Sequence, residues 1–259
     1  MIRVTILGCG GSLGVPLSNG SWGECDPANP RNRRRRPSIL IEASDGTTVL
    51  VDTGPDLRQQ LLDAAPSRID AVIYTHSHAD HIHGMDDLRP FWIGRDEPIA
   101  AYADEATCRD LEHRFGYAVD TVTMERGLYT PILGLKRLPD DGHSRIAGMD
   151  FTVFLQDHHS VQTLGFRVGN FAYSTDVAHL PEHAFDLLDG IHTWVVDACR
   201  EAPHPSHAHL DRTLGWIDRL RPERALLTHM NHTMDYSRLR AKLPTGVEPG
   251  YDGLVLECP

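Results

Sequence analysis

Apolar and polar positions alternate along the chain in two patterns, which predict short strands and amphipathic helices in turn. Apolar, β-branched runs predict strands at residues 3–7, 38–43, 47–52, 70–75, 99–103, 150–156, 163–168, 171–176, 193–198, 225–229 and 254–257. Helical periodicity predicts helices at 56–64, 104–114, 181–188, 208–220 and 235–242. SDG (44–46) and VGN (168–170) are typical of hairpin turns, which implies antiparallel or mixed sheets. Two sheets packed together with helices outside fit this order.

Size and composition favour one compact unit. The chain has 259 residues, of which 41% are hydrophobic, and this is enough for a sizeable core in a single domain spanning 1–259. No apolar run approaches the roughly 18–20 residues that a membrane span needs, and the first residues lack the features of a signal peptide. Five cysteines without a C-x-x-C pair do not predict a disulfide framework. A cytoplasmic protein without a membrane partner is therefore expected.

The net charge of −11 argues against charge-driven binding of nucleic acid, so a nucleic-acid partner is not expected. One local exception is RNRRRR at 31–36. Two interpretations of this run are equally supported by the sequence. It is either a solvated basic loop or a substrate-binding edge, where guanidinium groups would contact phosphate oxygens. The second interpretation names Arg33, Arg34, Arg35 and Arg36 as substrate contacts.

The glycine-rich stretch GCGGSLGVP (8–16) resembles a phosphate loop at first sight. It lacks the Lys-Ser/Thr pair of a P-loop, and its glycines do not have the G-x-G-x-x-G spacing. We interpret it as a tight turn from a strand into a loop near the functional site.

Titratable side chains crowd into THSHADH (75–81), directly after a predicted buried strand. Imidazole and carboxylate groups are common ligands of divalent transition metals. His76 and His78 are separated by one residue, and Asp80 and His81 follow at once. One loop with this spacing can supply ligands to two adjacent metal ions.

Further candidate ligands stand at the ends of other predicted strands. His158 and His159 follow one strand, Asp176 ends another, and His229 ends a third. Strand ends that converge on one edge of a sheet are places where such scattered ligands meet.

The order of these motifs resembles the metallo-β-lactamase superfamily. The motifs are VDTG (51–54), THSHADH (75–81), HHS (158–160), STD (174–176) and LTH (227–229), and they cover nearly the whole chain. The resemblance implies an α/β fold, an αββα sandwich of two mixed sheets flanked by helices, with a dinuclear metal site at one edge. It also implies a metal-dependent hydrolase.

The resemblance further implies a ligand set for two divalent ions. His76, His78 and His159 would hold one ion, Asp80, His81 and His229 the other, and Asp176 would bridge the two. The family's His-Ser followed by Gly-aromatic aligns on His159 rather than on His158. Asp52 would orient the metal loop through hydrogen bonds to the ligands. The mixed ligands favour Zn or Mn, with Fe or Ni as alternatives.

Three further stretches resemble the PhnP-type phosphodiesterases of this superfamily. They are TILGCGGSLGVP near the start, HPSHAHL (204–210) and THMNHTMDY…EPGYDGL (228–254). PhnP-type proteins often carry a cysteine-rich segment that binds a structural zinc with a late histidine. Here the segment keeps only Cys25, and His232 lacks partners, so no structural zinc is expected.

The chemistry that the resemblance implies is hydrolysis of a small cyclic phosphate or nucleotide-like phosphodiester. Two ions would hold a bridging hydroxide as nucleophile and clamp the phosphoryl group, with Asp80 counted among the catalytic residues. His207 is the candidate general acid for the leaving group, with His209 as the reserve and a candidate substrate contact. For both histidines the alternative is a cap region of the helix that begins near Leu210.

Other functions stay open at this point. A ribonuclease Z-like RNA-processing enzyme would normally need a protruding basic arm, and the sequence shows no long insertion for one. A thioester or lactone hydrolase of the same fold and a non-catalytic metal-binding sensor are further alternatives. The expected partner is a small phosphodiester, and a homodimer is left open.

Overall fold

Two seven-stranded mixed sheets face each other in the computed structural model, which describes residues 1–119 and 131–259. The first sheet has the order β14-β1-β2-β3-β4-β5-β6. Its strands are β1 (Ile2–Gly8), β2 (Ser38–Ala43), β3 (Thr48–Val51), β4 (Ala71–Ile73), β5 (Ile99–Ala103), β6 (Leu133–Arg137) and β14 (Val255–Cys258). The second has the order β13-β12-β11-β10-β9-β8-β7. Its strands are β7 (Asp141–Ile146), β8 (Met149–His158), β9 (Val161–Val168), β10 (Phe171–Ser174), β11 (Thr193–Asp197), β12 (Arg224–Thr228) and β13 (Val247–Pro249).

Helices connect the strands. They are α1 (Leu57–Ala64), α2 (Ala79–Ile82), α3 (Arg89–Trp92), α4 (Glu105–Val119), α5 (Glu182–Leu188), α6 (Leu210–Leu220) and α7 (Tyr236–Lys242), with 3-10 turns at Pro30–Asn32 and Met85–Leu88. Helix α4 is kinked at Phe115. Among the described residues, no helix is long and apolar enough to cross a membrane.

Alternation along the strands divides the apolar residues between two cores. Ile39 and Ile41 of β2 belong to the core between the sheets, which also contains Phe166 and Trp194 of the second sheet. Leu40, between them, belongs instead to a cluster shared with residues of α1 and α4. Strand β2 is therefore apolar on both faces, which explains its continuous hydrophobic run. The predicted αββα sandwich is confirmed.

All of the predicted strands and both hairpin turns are present, but three strands among the described residues escaped prediction. Strands β6, β7 and β13 all lie at a sheet edge. Residues along β7 alternate between exposed and half-buried until Ile146, and β13 has only 3 residues. An edge strand buries less side-chain surface than a central one, so its hydrophobic pattern is weak.

The glycine-rich loop after β1 is held by a carboxylate from the far end of the chain. Asp252 accepts hydrogen bonds from the backbone N–H of Cys9 at 3.2 Å and from that of Arg35 at 2.8 Å. The Cys9 thiol lies 3.6 Å from the same carboxylate. Burial raises the pKa of Asp252 to about 7, although these donors oppose the shift.

This raised pKa predicts a pH-dependent contribution to stability. Between about pH 4 and pH 7 the folded chain binds more protons at Asp252 than the unfolded chain does. The stabilisation by Asp252 is therefore complete below about pH 4 and is lost as the pH rises to 7. In urea unfolding of metal-free protein, the free energy of unfolding of the wild type relative to Asp252→Asn should fall across this range. A constant difference between the two proteins would contradict the assignment.

Candidate metal centre

Several of the predicted site residues stand at strand ends in the same unusual backbone conformation. Asp52, Asp176 and His229 follow β3, β10 and β12, and their φ angles are 63°, 53° and 56°. A left-handed conformation costs a non-glycine residue roughly 1–2 kcal/mol. Such strain is typical of functional sites, where the surrounding structure enforces it. Here buried strands hold each turn.

Asp52 anchors the histidine-rich loop. One carboxylate oxygen accepts the backbone N–H of Thr75 at 2.8 Å. The other lies 2.8 Å from the hydroxyl of Thr75 and 2.7 Å from Nδ1 of His81. A carboxylate at Nδ1 favours the tautomer that leaves Nε2 free for a metal. The predicted orienting role of Asp52 therefore has a geometric basis.

The first cluster consists of His76, His78 and His158, whose ligand atoms lie within 4.8 Å of one another. His76 is buried after β4, while His78 is exposed at the start of α2. His158 is the last residue of β8, and its Nδ1 contacts the carbonyl of Ser206. Burial lowers the pKa of all three imidazoles, which favours the neutral form that binds metals.

The second cluster consists of Asp80, His81, Asp176 and His229, also within 4.8 Å of one another and all buried. Asp176 lies at its centre, 3.2 Å from Nε2 of His81 and 3.1 Å from Nε2 of His229. The same carboxylate lies 3.9 Å from Nε2 of His76 and 3.9 Å from Nε2 of His158 in the first cluster. Asp176 thus touches both clusters, as a bridging ligand would.

Unpaired polar atoms indicate that the two clusters fit metal ions. The Nε2 atoms of His76, His81 and His229 are buried and have no hydrogen-bond partner within the described ranges. Burial opposes a charge on His81, but the carboxylates of Asp176, Asp80 and Asp52 outweigh it and raise its pKa. The nearby histidines in turn hold the pKa of Asp176 low despite its burial. A divalent cation in place of the proton on His81 would be attracted by the same carboxylates, and imidazole nitrogens with ionised carboxylates are the donor set of a divalent transition metal.

The structure corrects one predicted ligand, because His158 and not His159 joins the first cluster. Strand β8 alternates inward at Phe154, Gln156 and His158, whereas His159 is exposed. His159 lies in the two-residue turn to β9 with a φ of 66°. The alternation of β8 was the sequence signal that could have identified His158.

His207 lies beside both clusters. Its ring centre is 4.6 Å from that of His158 and 4.5 Å from that of His229. Its Nδ1 is 2.8 Å from the buried carboxylate of Asp197, the last residue of β11. Asp197 was not predicted, although its position at a strand end matches that of the other acids. His209 is the N-cap residue of α6 and does not line the cavity described next.

A cavity of about 380 Å³ opens onto these groups. Its lining comprises Gly11–Gly14, His78, Asp80, His158, Asp176, Cys199, His204, Ser206, His207, His229, Asn231 and His232. The glycine-rich turn therefore forms one wall of the site, as its sequence predicted. Cys199, His204 and Asn231 are site residues that sequence reasoning missed.

None of the four arginines that were candidate substrate contacts lines this cavity, so the structure does not bring them to the candidate site. Arg35 pairs with Asp63, and Arg36 pairs with Asp56 at 3.0 Å. Arg33 is exposed and stacks over Trp22 at 5.1 Å. Arg35 and Arg36 thus join the loop to α1 and to the residue before it, and Arg33 contacts an aromatic ring of the same loop.

Arg34 differs from the other three arginines because it is buried, with only 2% of its surface exposed. Its guanidinium donates to the carbonyl of Met234 at 2.6 Å and to that of Asn231 at 3.3 Å. It also lies 3.9 Å from the sulfur of Cys25, whose thiol contacts the carbonyl of His232 at 3.5 Å. Arg34 therefore joins the arginine run to the segment that follows His229.

The comparisons with known proteins agree with the fold and the clusters. Residues 47–230, more than half of the chain, match the model of the β-lactamase superfamily domain. The chain therefore belongs to the metallo-β-lactamase superfamily, and its buried His/Asp clusters are those of a metal-dependent hydrolase. The resemblance to PhnP-type proteins is confirmed by the crystal structure of a new diphosphatase from the PhnP family. That structure is 33% identical, with a TM-score of 0.90, and the match covers 100% of this chain and 98% of that one.

Two curated relatives are longer than this chain. An octanoyltransferase of Porphyromonas gingivalis is 29% identical over 257 residues, which cover 98% of this chain and 51% of the relative. A ribonuclease Z of Methanosarcina mazei is 28% identical over 171 residues, which cover 64% of this chain and 48% of the relative. The chain spans about half the length of these relatives, so their names describe those proteins as wholes.

The adjacent histidines give a direct test of the corrected ligand. His158→Ala should weaken binding of one ion by at least roughly the 10–100-fold that loss of an outer-shell partner costs, because a direct ligand is removed. His159→Ala is the matched control and should keep the metal content and affinity of the wild type. Elemental analysis after dialysis against a graded chelator measures both. Greater loss from His159→Ala would restore the sequence-based assignment.

Arg33 and Arg34 form a second matched pair. Arg34→Met should lower the free energy of unfolding by about 1–3 kcal/mol for each buried carbonyl left without a donor. Arg33→Met removes the same charge from an exposed position and should change stability little. Urea unfolding of both variants measures the difference. Equal effects would show that the buried contacts of Arg34 do not stabilise the loop.

Proposed function

We propose that this chain is a two-metal hydrolase of small phosphate compounds, cleaving a phosphodiester or a diphosphate anhydride, with His207 as the general acid. The main observation in support of this proposal is the position of His207 beside both clusters. Its imidazole lies against one histidine of each cluster, and Asp197 holds its far nitrogen. A proton donor beside a shared two-metal site is suited to a reaction with an alkoxide or phosphate leaving group.

Divalent ions, when bound, supply a water activated near neutral pH and a clamp on the phosphoryl oxygens. His76, His78 and His158 would hold one ion, Asp80, His81 and His229 the other, with Asp176 between them. Asp52 keeps His81 oriented through its Nδ1 contact.

His207 handles the proton of the leaving group. Because Asp197 accepts from Nδ1, the other nitrogen, Nε2, is the one available to the cavity. The carboxylate also fixes the orientation of the imidazole ring, so that Nε2 faces the position of the leaving group. Asp197 is fixed in turn by the backbone N–H of Val177, which donates to the same oxygen at 3.0 Å.

The dimensions of the cavity favour a small substrate. About 380 Å³ is at the lower end of ligand sites, and the polar groups beyond the clusters include His204, Asn231 and His232. These side chains suit phosphate or ribose oxygens. The PhnP-family structure that the chain resembles over its full length is named a diphosphatase, which supports a small phosphate compound as substrate.

Because the chain is similar to a ribonuclease Z, RNA is an alternative substrate. The net charge of −11 and the small cavity weigh against it, since RNA binding needs basic surface along the backbone. A screen of the metal-reconstituted protein against cyclic phosphates, dinucleoside diphosphates, a precursor tRNA and thioesters tests the proposal. Turnover of the thioesters alone would reject it.

The role of His207 predicts a dependence on the leaving group. His207→Ala should slow hydrolysis of an alkyl or ribosyl phosphodiester by about 10²–10⁴-fold, because this leaving group needs a proton. The loss should be much smaller for a nitrophenyl ester, which departs as an anion. Steady-state kinetics on the two substrates, with metal content measured in parallel, gives the comparison.

His209→Ala is the control, since this residue lies two positions away and outside the cavity. It should show no such dependence on the leaving group. Equal losses on both esters in His207→Ala, or loss of metal from that variant, would assign His207 to binding instead. A leaving-group dependence in His209→Ala would move the acid to that residue.

A further inference from the structure

Cys199 is a thiol inside the candidate site that the two metal clusters do not use. It lines the cavity two residues after the end of β11 and is 7% exposed. Its backbone N–H donates to the carbonyl of Ala208 at 3.0 Å, and its carbonyl accepts the N–H of Asn231 at 2.9 Å. These bonds fix Cys199 between the segment that carries His207 and the segment that carries His229.

The thiol is close enough to both histidines to share an ion with them. Ligand atoms of Cys199, His207 and His229 lie within 4.8 Å of one another. His229 faces Asp176 through Nε2, and its Nδ1 is buried without a hydrogen-bond partner in the described part of the chain. The Nδ1 contact with Asp197 leaves His207 with Nε2 as its ligand atom.

From this arrangement we propose a third metal position, formed by Cys199 and His207 with His229 beside them. One thiolate and one or two imidazoles select a thiophilic ion such as Zn²⁺, Co²⁺ or Cd²⁺ over Mg²⁺ or Mn²⁺. Binding releases the thiol proton to solvent, because the ligand is the thiolate.

Occupation of this position has a consequence for the reaction, and this step rests on the proposed function. An ion on Nε2 of His207 takes up the lone pair that must carry the proton to the leaving group. Excess zinc should therefore inhibit hydrolysis of esters with poor leaving groups. The third position would act as an inhibitory site for the same type of ion that the two clusters use.

The test begins with protein loaded with two equivalents of Zn²⁺ and titrated with Co²⁺, which does not readily displace zinc from a shared ligand set. We expect one further equivalent to bind, with a near-ultraviolet absorption band from charge transfer between thiolate and cobalt. Elemental analysis should give two zinc ions and one cobalt ion per chain. This readout does not depend on any enzymatic activity.

Substitutions identify the residues that bind the cobalt ion and give rise to the absorption band. Cys199→Ser, Cys199→Ala and His207→Ala should keep two zinc ions and lose the cobalt band. Cys108→Ser is the matched control, because Cys108 is a buried thiol on α4 outside the cavity, and it should keep the band. A band that persists without Cys199 would overturn the proposal. So would cobalt uptake without the band, or a band that appears while one zinc ion is lost.

Measurements of zinc inhibition distinguish this inference from the proposed function. Cys199→Ser should raise the zinc concentration for half-inhibition by about 10–100-fold, the size of effect that even outer-shell metal contacts show. An unchanged midpoint would overturn the inhibitory role. A protein that shows the cobalt band but hydrolyses no phosphate ester would retain the third position and lose the proposed function.

Discussion

The structure of the site depends on one buried carboxylate. Asp176 is surrounded by imidazole nitrogens of His76, His81, His158 and His229 at 3.1–3.9 Å. An ionised carboxylate in such a place is costly unless it is paired and hydrogen-bonded. The hydroxyl of Thr163 on β9 donates to its carbonyl at 2.9 Å, and that of Thr175 to its side chain at 2.6 Å. Two neighbouring strands therefore hold the group on which both clusters converge.

In three histidines of the site, the ring nitrogen that points away from the clusters contacts a polar group of the protein. His81 uses its Nδ1 on the carboxylate of Asp52, His158 on the carbonyl of Ser206, and His207 on Asp197. Each contact fixes a ring orientation and favours a tautomer before any ligand arrives. The partners come from different strands and loops, so the whole sandwich contributes to the orientation of the donors. Because the imidazole rings are already oriented, less conformational entropy is lost when ions or substrate bind.

Sequence reasoning succeeded where the signal was local. The spacing of His76, His78, Asp80 and His81 and the apolar runs of the central strands needed no tertiary information. It failed where two adjacent residues differ only in the face they occupy, as with His158 and His159. It also failed for Arg34, because composition describes a basic run and does not show which of its side chains is buried. Cys199 was missed because a lone cysteine has no spacing pattern to recognise.

Arg34 shows how a charge can become part of a scaffold. Its guanidinium spans the carbonyls of Asn231 and Met234, while its backbone pairs with Val15 in the glycine-rich loop. Asn32 extends the contact, since its amide donates to Asp235 at 2.6 Å. The two loops that form one side of the cavity are thus joined through buried donors and acceptors. A planar group with five N–H donors can satisfy several carbonyls at once, which explains why an arginine can be buried at this junction.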